Sequence, residues 1–432
     1  MYKLVVIADD FTGAVDTGAQ FAKKGISTIV TLNYERDFYF YFGKAQVLVI
    51  DIESRHLHAK EAYQIVKKLA HKCIKNGVKY FYKKTDSALR GNIGGELSGL
   101  VDAFDQENLV FVPAYPKNNR ITKKGIHFIN GKKVTETEFG SDPFEPVRKN
   151  KVSEIIAEQS NAPTVNVGIE EIDNINFSHQ RNSIYILDAE KEEHLEKIAA
   201  RFKNSNIHLF AGCAGFANYL PNIISLAPDL TNQFQLDSKS IVISGSINDI
   251  TLQQIEFASR KGYDIITLTP EQKLAKNIET LPSTKVLLKN TKQKFLMKGK
   301  VIIDGAGDKD NIRLTNHYAN NLGFPTDRIR ECIAHNIGKL LKILAEEGVE
   351  GTYIIIGGDT FRAVIEHLGF DSLEPLAEIH SGIVLSRVIR TNENLYFISK
   401  SGGFGSKDIL LKIDEFIDKI SSSKEWERMG RN

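Results

Sequence analysis

Tyr82-Lys83-Lys84-Thr85-Asp86-Ser87-Ala88-Leu89-Arg90-Gly91-Asn92-Ile93-Gly94-Gly95-Glu96 joins a short β-type run, Val78 to Tyr82, to an amphipathic helical pattern at Leu97, Leu100, Val101 and Phe104. Two lysines, an aspartate, a serine and an arginine are thereby placed at a strand-to-helix turn, where open α/β sheets collect ligand groups. Gly91, Gly94 and Gly95 lack a Cβ, which is expected to let backbone amides approach a bound molecule. A structural protein has little use for so many unlike charges at one turn, so the stretch reads as a reaction site.

Working outward, Lys3 to Ala8 is a continuous branched apolar run, the mark of a buried strand. Asp9-Asp10-Phe11-Thr12-Gly13-Ala14 turns into a helix that closes at Gly25. Strands at 26–32 and 47–52 and a helix at 59–73 follow. Beyond the opening stretch come strands at 109–112, 164–167, 183–187 and 207–211, with Asn130-Gly131 as a hairpin signal and Ser141-Asp142-Pro143 as a break. The alternation predicts βαβ units and a mostly parallel sheet. A chain of 432 residues exceeds one compact core. The polar stretch 227–239 is the expected boundary, giving an N-terminal domain over 1–230 and a C-terminal domain over 238–432. In the second half, strands are expected at 240–243, 264–268, 352–356 and 395–398. Helices are expected at 251–260, from Thr326 to about Glu347, at 361–368 and at 407–420. The fold class is α/β: two domains, each with a mostly parallel sheet flanked by helices, and an active site in the interdomain cleft.

Hydrophobic content of 42%, charged content of 25% and a net charge of +2 describe an ordinary soluble protein without the electrostatic footprint of a nucleic-acid binder. Cys73, Cys213 and Cys332 are odd in number and far apart, which suggests reduced thiols in the cytosol. The apolar run Leu4 to Ala8 is too short for a signal peptide, and no segment approaches the roughly 20 apolar residues of a spanning helix. A cytoplasmic protein with no membrane partner is expected, and a homodimer is compatible with this. Lys289, Lys292, Lys294, Lys298 and Lys300 read as a solvated surface. His56 and His58 have no matching cysteines, so zinc is not read there, and no residue is assigned as a metal ligand.

The second half repeats one device three times. Ser244-Gly245-Ser246, Gly357-Gly358-Asp359-Thr360 and Ser401-Gly402-Gly403-Phe404-Gly405-Ser406 each lie between a strand and a helix. Small residues and backbone donors at a helix N-terminus favour an anion by roughly 0.3–1 kcal/mol per contact. One such turn is more often chain reversal than a ligand site, but three in one domain point to a polyphosphate. Neither G-x-x-x-x-G-K-[ST] nor G-x-G-x-x-G with its following acid is present, which argues against a nicotinamide enzyme. In the first half, Asp9 and Asp10 end a strand. Asp10 or Thr12 could merely cap the next helix, whereas a carboxylate there could also accept a hydroxyl proton or hold Mg²⁺. Arg55, in Glu53-Ser54-Arg55, could clamp a carboxylate with its planar fork or lie on the surface. Carboxylates with Arg and Lys in one half and anion-binding turns in the other best serve phosphoryl transfer.

Val6 to Ala14, Glu53-Ser54-Arg55 and Lys83 to Gly94 resemble the four-carbon acid sugar kinase family. So do Glu136-Thr137-Glu138-Phe139, Ser141-Asp142-Pro143, Ala214 to Asn218, and the three glycine turns. The resemblance spans nearly the whole chain. It implies a sugar-acid-binding first domain, a nucleotide-binding second domain, and ATP-dependent phosphorylation of a 4-hydroxyl with Mg²⁺ bridging the ATP phosphates. Asp9, Asp10 and Asp86 are the implied candidates for general base. Asp9, Arg55, Lys83, Lys84, Asp86, Ser87, Arg90 and Gly91 would hold substrate. Ser244, Ser246, Gly357, Gly358, Asp359, Thr360, Gly403 and Gly405 would hold ATP. Leu89-Arg90-Gly91-Asn92 groups the chain with D-threonate or D-erythronate kinases, where 3-oxo-tetronate kinases tend to carry Ala-Lys-Gly-Asn. Thr85 and Ala88 depart from the usual pattern and leave the substrate open. A 3-oxo-tetronate 4-kinase is the alternative enzyme, separated by a substrate panel. A non-catalytic sensor of sugar acid and nucleotide is the alternative of another class, separated by binding without turnover.

Overall fold

The computed structural model describes residues 2–35, 43–142, 144–177, 181–229, 234–325, 328–388 and 395–422. Pro143 and Thr326, named above in a break and at a helix start, lie outside them. The chain divides into two compact units, Met1–Leu230 and Thr231–Asn432.

The first unit runs β1 (Leu4–Ala8), α1 (Phe11–Ala22), β2 (Thr28–Thr31), β3 (Val47–Asp51), α2 (Ala59–Lys75), β4 (Tyr80–Lys84), α3 (Ile93–Val101) and β5 (Leu109–Val112). It continues with β6 (Arg120–Lys123), β7 (Ile126–Ile129), β8 (Lys132–Lys133), α4 (Val152–Ala157), β9 (Thr164–Val167), β10 (Ile184–Leu187), α5 (Glu192–Phe202), β11 (Leu209–Gly212), α6 (Ala214–Ala217) and α7 (Leu220–Ile223). Its main sheet has the order β2-β3-β1-β4-β11-β5-β10-β9, and every pairing in it is parallel. All five residues of β1 are buried, as a strand covered on both faces requires. The β6-β7-β8 meander is separate; Asn130 and Gly131 both take positive φ, 51° and 78°, in its second turn, as a two-residue hairpin needs.

The second unit runs β12 (Ser240–Ser244), α8 (Asp249–Arg260), β13 (Asp264–Thr267), α9 (Pro270–Leu274), α10 (Pro282–Lys298), β14 (Lys300–Asp304), α11 (Lys309–Asn321) and α12 (Ile329–Glu346). Then come β15 (Thr352–Ile356), α13 (Gly358–His367), β16 (Ser372–His380), β17 (Ile383–Val388), β18 (Leu395–Lys400) and α14 (Ile409–Ser422). Parallel strands in the order β13-β14-β12-β15-β18 form its centre. The antiparallel pairs β18-β17 and β17-β16 are an addition that the βαβ reading did not foresee. The lysine run falls mostly on α10, where Lys294 and Lys298 pair with Asp264 and Lys292 with Glu347 at the surface.

One shift of two residues matters for function. The strand expected over 78–82 is β4, Tyr80–Lys84, so Lys83 and Lys84 are strand residues rather than turn residues. Side chains alternate along a strand, and the two ammonium groups therefore leave on opposite faces.

Candidate active site

β1 lies between β3 and β4, so the C-terminal ends of three strands distant in sequence are neighbours. From β1 come Asp9 and Asp10, from the loop after β3 comes Arg55, and from β4 and its turn come Lys84, Asp86 and Arg90. Arg55 Nε and Nη2 donate to Asp9 Oδ2 at 2.9 and 2.8 Å. Its Nη2 also lies 2.7 Å from Asp10 Oδ1 and 3.6 Å from Asp86 Oδ1. Lys84 Nζ donates to Asp9 Oδ1 at 3.2 Å and Asp10 Oδ1 at 3.4 Å. Arg90 grips Asp86 through Nε and Nη2, both at 3.0 Å, reaches Asp142 through Nη1 at 3.3 Å, and stacks 5.1 Å from the Phe139 ring centroid. The amides of Ala88 and Arg90 also donate to Asp86 Oδ2.

Burial alone would raise the Asp9 pKa, but Arg55, Lys84 and Lys83 outweigh it and hold the carboxyl well below the usual range. Asp86 is likewise depressed, burial being outweighed by Arg90 and Arg55. Burial works against the Lys84 ammonium, yet Asp9 and Asp10 keep its pKa raised. All these groups are charged at neutral pH. Asp10 differs from its neighbours: its side chain is 22% exposed against 2% for Asp9, and it caps α1 by accepting from Gly13 N at 3.2 Å. The capping expectation and the site expectation thus hold together, since all of these contacts use Oδ1. Among the described residues Asp10 Oδ2 and Arg55 Nη1 carry no partner. Gly13 admits this closeness, because a Cβ there would sit 2.1 Å from Lys84 Nζ.

Lys83, expected in the substrate site, is not brought to this cluster. It is fully buried on the other face of β4, paired with Glu96 Oε2 at 3.0 Å; a buried ammonium needs such a partner. Gly94 and Gly95 also serve packing rather than ligand approach: a Cβ on either would press on the backbone oxygen of Ile156 (2.2 Å) or Ala59 (2.6 Å). Gly91, at φ +81°, lies against Arg55, and the Ser87 carbonyl accepts from His127 Nε2 at 3.0 Å. His127, absent from the sequence reading, is buried, which pushes its pKa down to about 4. Its place on β7, the middle strand of the meander, gave no chemical signal.

In the second unit the three glycine turns end β12, β15 and β18, adjacent in the sheet. Gly245 N donates to Ile356 O at 3.3 Å and Gly357 N to Lys400 O at 3.0 Å. A Cβ on Gly245 would lie 2.2 Å from Thr360 Oγ1, and one on Gly402 2.5 Å from Ser246 Oγ. The turns are packed together, and a Cβ at either glycine would require the facing hydroxyl to move. Asp359 instead pairs with Arg330 at 2.8 Å and is half-exposed. A fourth turn, Asp304-Gly305-Ala306-Gly307, joins them at the end of β14: Gly305 N donates to Ser244 O at 2.7 Å. Its single aspartate and small residues went unread because the run follows the lysine-rich stretch. The clustered amide-bearing turns fit a nucleotide's phosphates. Among the described residues no group of three or more His, Cys, Asp or Glu could hold a metal.

Residues 4–220 match the sugar-binding N-terminal domain family and residues 241–410 the nucleotide-binding C-terminal domain family. The chain is similar to a D-threonate kinase of Salmonella typhimurium, 29% identical over 97% of this chain and 99% of the relative. It is also similar to a D-erythronate kinase of Heliobacterium modesticaldum, 26% identical over 98% and 99%. A 3-oxo-tetronate kinase of Haemophilus influenzae is 25% identical over 94% and 97%. A solved structure from Salmonella typhimurium shares the fold with a TM-score of 0.80 at 21% identity, covering 96% of this chain and 99% of its own. One from Haemophilus influenzae does so at 0.74 and 23%, covering 96% and 100%. No helix among the described residues is long and apolar enough to cross a membrane. With both halves matched and full-length kinase relatives on either side of the substrate question, the chain belongs to the four-carbon acid sugar kinase family.

Proposed function

We propose that this kinase transfers the γ-phosphoryl group of ATP to the 4-hydroxyl of D-threonate or D-erythronate, giving the 4-phosphate and ADP. The observation that carries the reading is the ring of Asp9, Asp10 and Asp86 with Arg55, Lys84 and Arg90 at the ends of β1, β3 and β4. Three carboxylates and three cations pair within the ring, which these contacts preorganise. The free Nη1 of Arg55 offers a donor to the substrate carboxylate, and Arg90, fixed by Asp86 and Phe139, sets the opposite wall. Asp10 is the best-placed acceptor for the 4-hydroxyl proton, because its Oδ2 is unpaired and it is the more open of the two adjacent carboxylates. Asp9 and Asp86, saturated by cations and amides, hold the ring in shape. Phosphoryl transfer draws mostly on positioning and charge neutralisation, and Mg²⁺ supplies part of that neutralisation at the phosphates when bound. Ser244, Ser246, Gly357, Gly358, Thr360, Gly403 and Gly405 line the turns that would receive the nucleotide, with Asp359 at their rim.

ADP release measured with D-threonate, D-erythronate and 3-oxo-tetronate, each with ATP and Mg²⁺, tests the proposal. Turnover on either of the first two is expected. Turnover on 3-oxo-tetronate alone would reassign the substrate, and binding of acid and nucleotide without ADP would make the protein a sensor.

A further inference from the structure

Lys400, the last residue of β18, is 1% exposed, and among the described residues no carboxylate pairs with its ammonium. Its Nζ bends back to donate to Ser401 O at 3.1 Å and Gly402 O at 3.3 Å. Burying an ammonium without a counter-charge is costly, and two carbonyl dipoles do not replace an anion. The same turn is gripped from α8. Thr251 Oγ1 donates to Gly402 O at 2.7 Å. Gln254 Nε2 donates to Phe404 O, Gly405 O and Ser406 O at 3.0, 3.0 and 3.1 Å. Both α8 residues are fully buried. Carbonyls of Ser401, Gly402, Phe404, Gly405 and Ser406 are thus all engaged by buried side chains. Among the described residues the amides of Gly402, Gly403 and Gly405 have no hydrogen-bond partner. A turn with its carbonyls satisfied from within and its amides free is a nest for an anion.

We propose that Lys400, with Thr251 and Gln254, polarises the Ser401–Ser406 turn into the polyphosphate-recognising element, and that the Lys400 ammonium is the built-in charge that bound phosphates neutralise. The inference rests on the nucleotide reading above. Lys400 is here a positioning residue: it acts through the turn it orders and through its field. Burial alone holds its pKa down at about 8.

Calorimetric titration of the full-length protein with ADP, ATP and adenosine tests this, using wild type, Lys400→Met, Lys400→Arg and Gln254→Leu. Lys400→Met should weaken ADP and ATP by about ten-fold or more, the size of one charge contact, while adenosine shifts by less than about two-fold. Lys400→Arg should recover most of the loss. The thermal midpoint of ligand-free Lys400→Met should equal or exceed that of wild type, because an uncompensated buried charge is gone. Gln254→Leu, which removes a side-chain donor from three carbonyls without touching the charge, should weaken ADP in the same direction and decides the matter if Lys400→Met fails to fold. Unchanged ADP affinity, or equal losses for adenosine and ADP with a lowered midpoint, would overturn the inference. Wild-type protein that binds no nucleotide would instead overturn the nucleotide reading, and this inference with it.

Discussion

At Asp10 the structure separates two neighbours that look alike in sequence. Asp9 has both oxygens engaged by Arg55 and Lys84, whereas Asp10 keeps Oδ2 open. Asp10→Asn should lower kcat by about 10²–10⁴, the usual span for a lost general base, with ADP binding unchanged by calorimetry. Asp9→Asn should instead raise KM for the sugar acid and lower the thermal midpoint, since Arg55 and Lys84 lose the charge of the more buried of their two shared partners. Arg90→Lys should cost about ten-fold or more in kcat/KM for the sugar acid, because a point charge cannot hold both oxygens of Asp86 and lie over Phe139; steady-state kinetics with saturating ATP reads this. His127 carries a pH prediction. Its folded pKa of about 4 lies below the ordinary 6.5, so the unfolded chain binds the extra proton between those values. Stability is therefore lost as pH falls from 6.5 to 4, by up to about 3 kcal/mol for this one group. Denaturant midpoints at pH 7 and pH 4.5 should fall less for His127→Gln than for wild type.

Among the elements, β4 and α3 show what the sequence could and could not convey. Their existence and their turn were legible from the apolar periods on either side. The strand's end was not, because Lys83 and Lys84 look like turn residues until Glu96 and Asp9 are brought beside them. Burial of two consecutive lysines is decided by partners 13 and 75 positions away in the chain, which no local pattern contains. The glycines of the same stretch are legible as a group but not in purpose. Gly95 and Gly99 let α3 press on the backbone of α2, a Cβ on each meeting a carbonyl oxygen at 2.6 Å. Gly95→Ala or Gly99→Ala should therefore cost about 1–3 kcal/mol through overpacking, measured by urea unfolding, with little change in KM for the substrate in the surviving folded protein. The β16–β17 ribbon was missed for a different reason: its residues lie outside the βαβ rhythm that the rest of the half obeys.

At the scale of the molecule, the two compact units correspond to two chemistries. The first gathers a ring of carboxylates and cations at the ends of β1, β3 and β4. The second gathers glycine turns at the ends of β14, β12, β15 and β18. Both placements follow from one rule, that parallel strands deliver loops from the same edge of the sheet, and for that reason sites built from distant segments could be anticipated from turn chemistry. Partners such as Phe139, Asp142 and His127 come from connections whose path no periodicity fixes.

The most direct test is phosphorus NMR of the product formed from D-threonate or D-erythronate, ATP and Mg²⁺. A single phosphomonoester resonance coupled to the two protons on carbon 4, appearing with ADP and abolished in Asp10→Asn, is the predicted result. Phosphate on another hydroxyl, or no phosphorylated product from any four-carbon acid, would contradict the account.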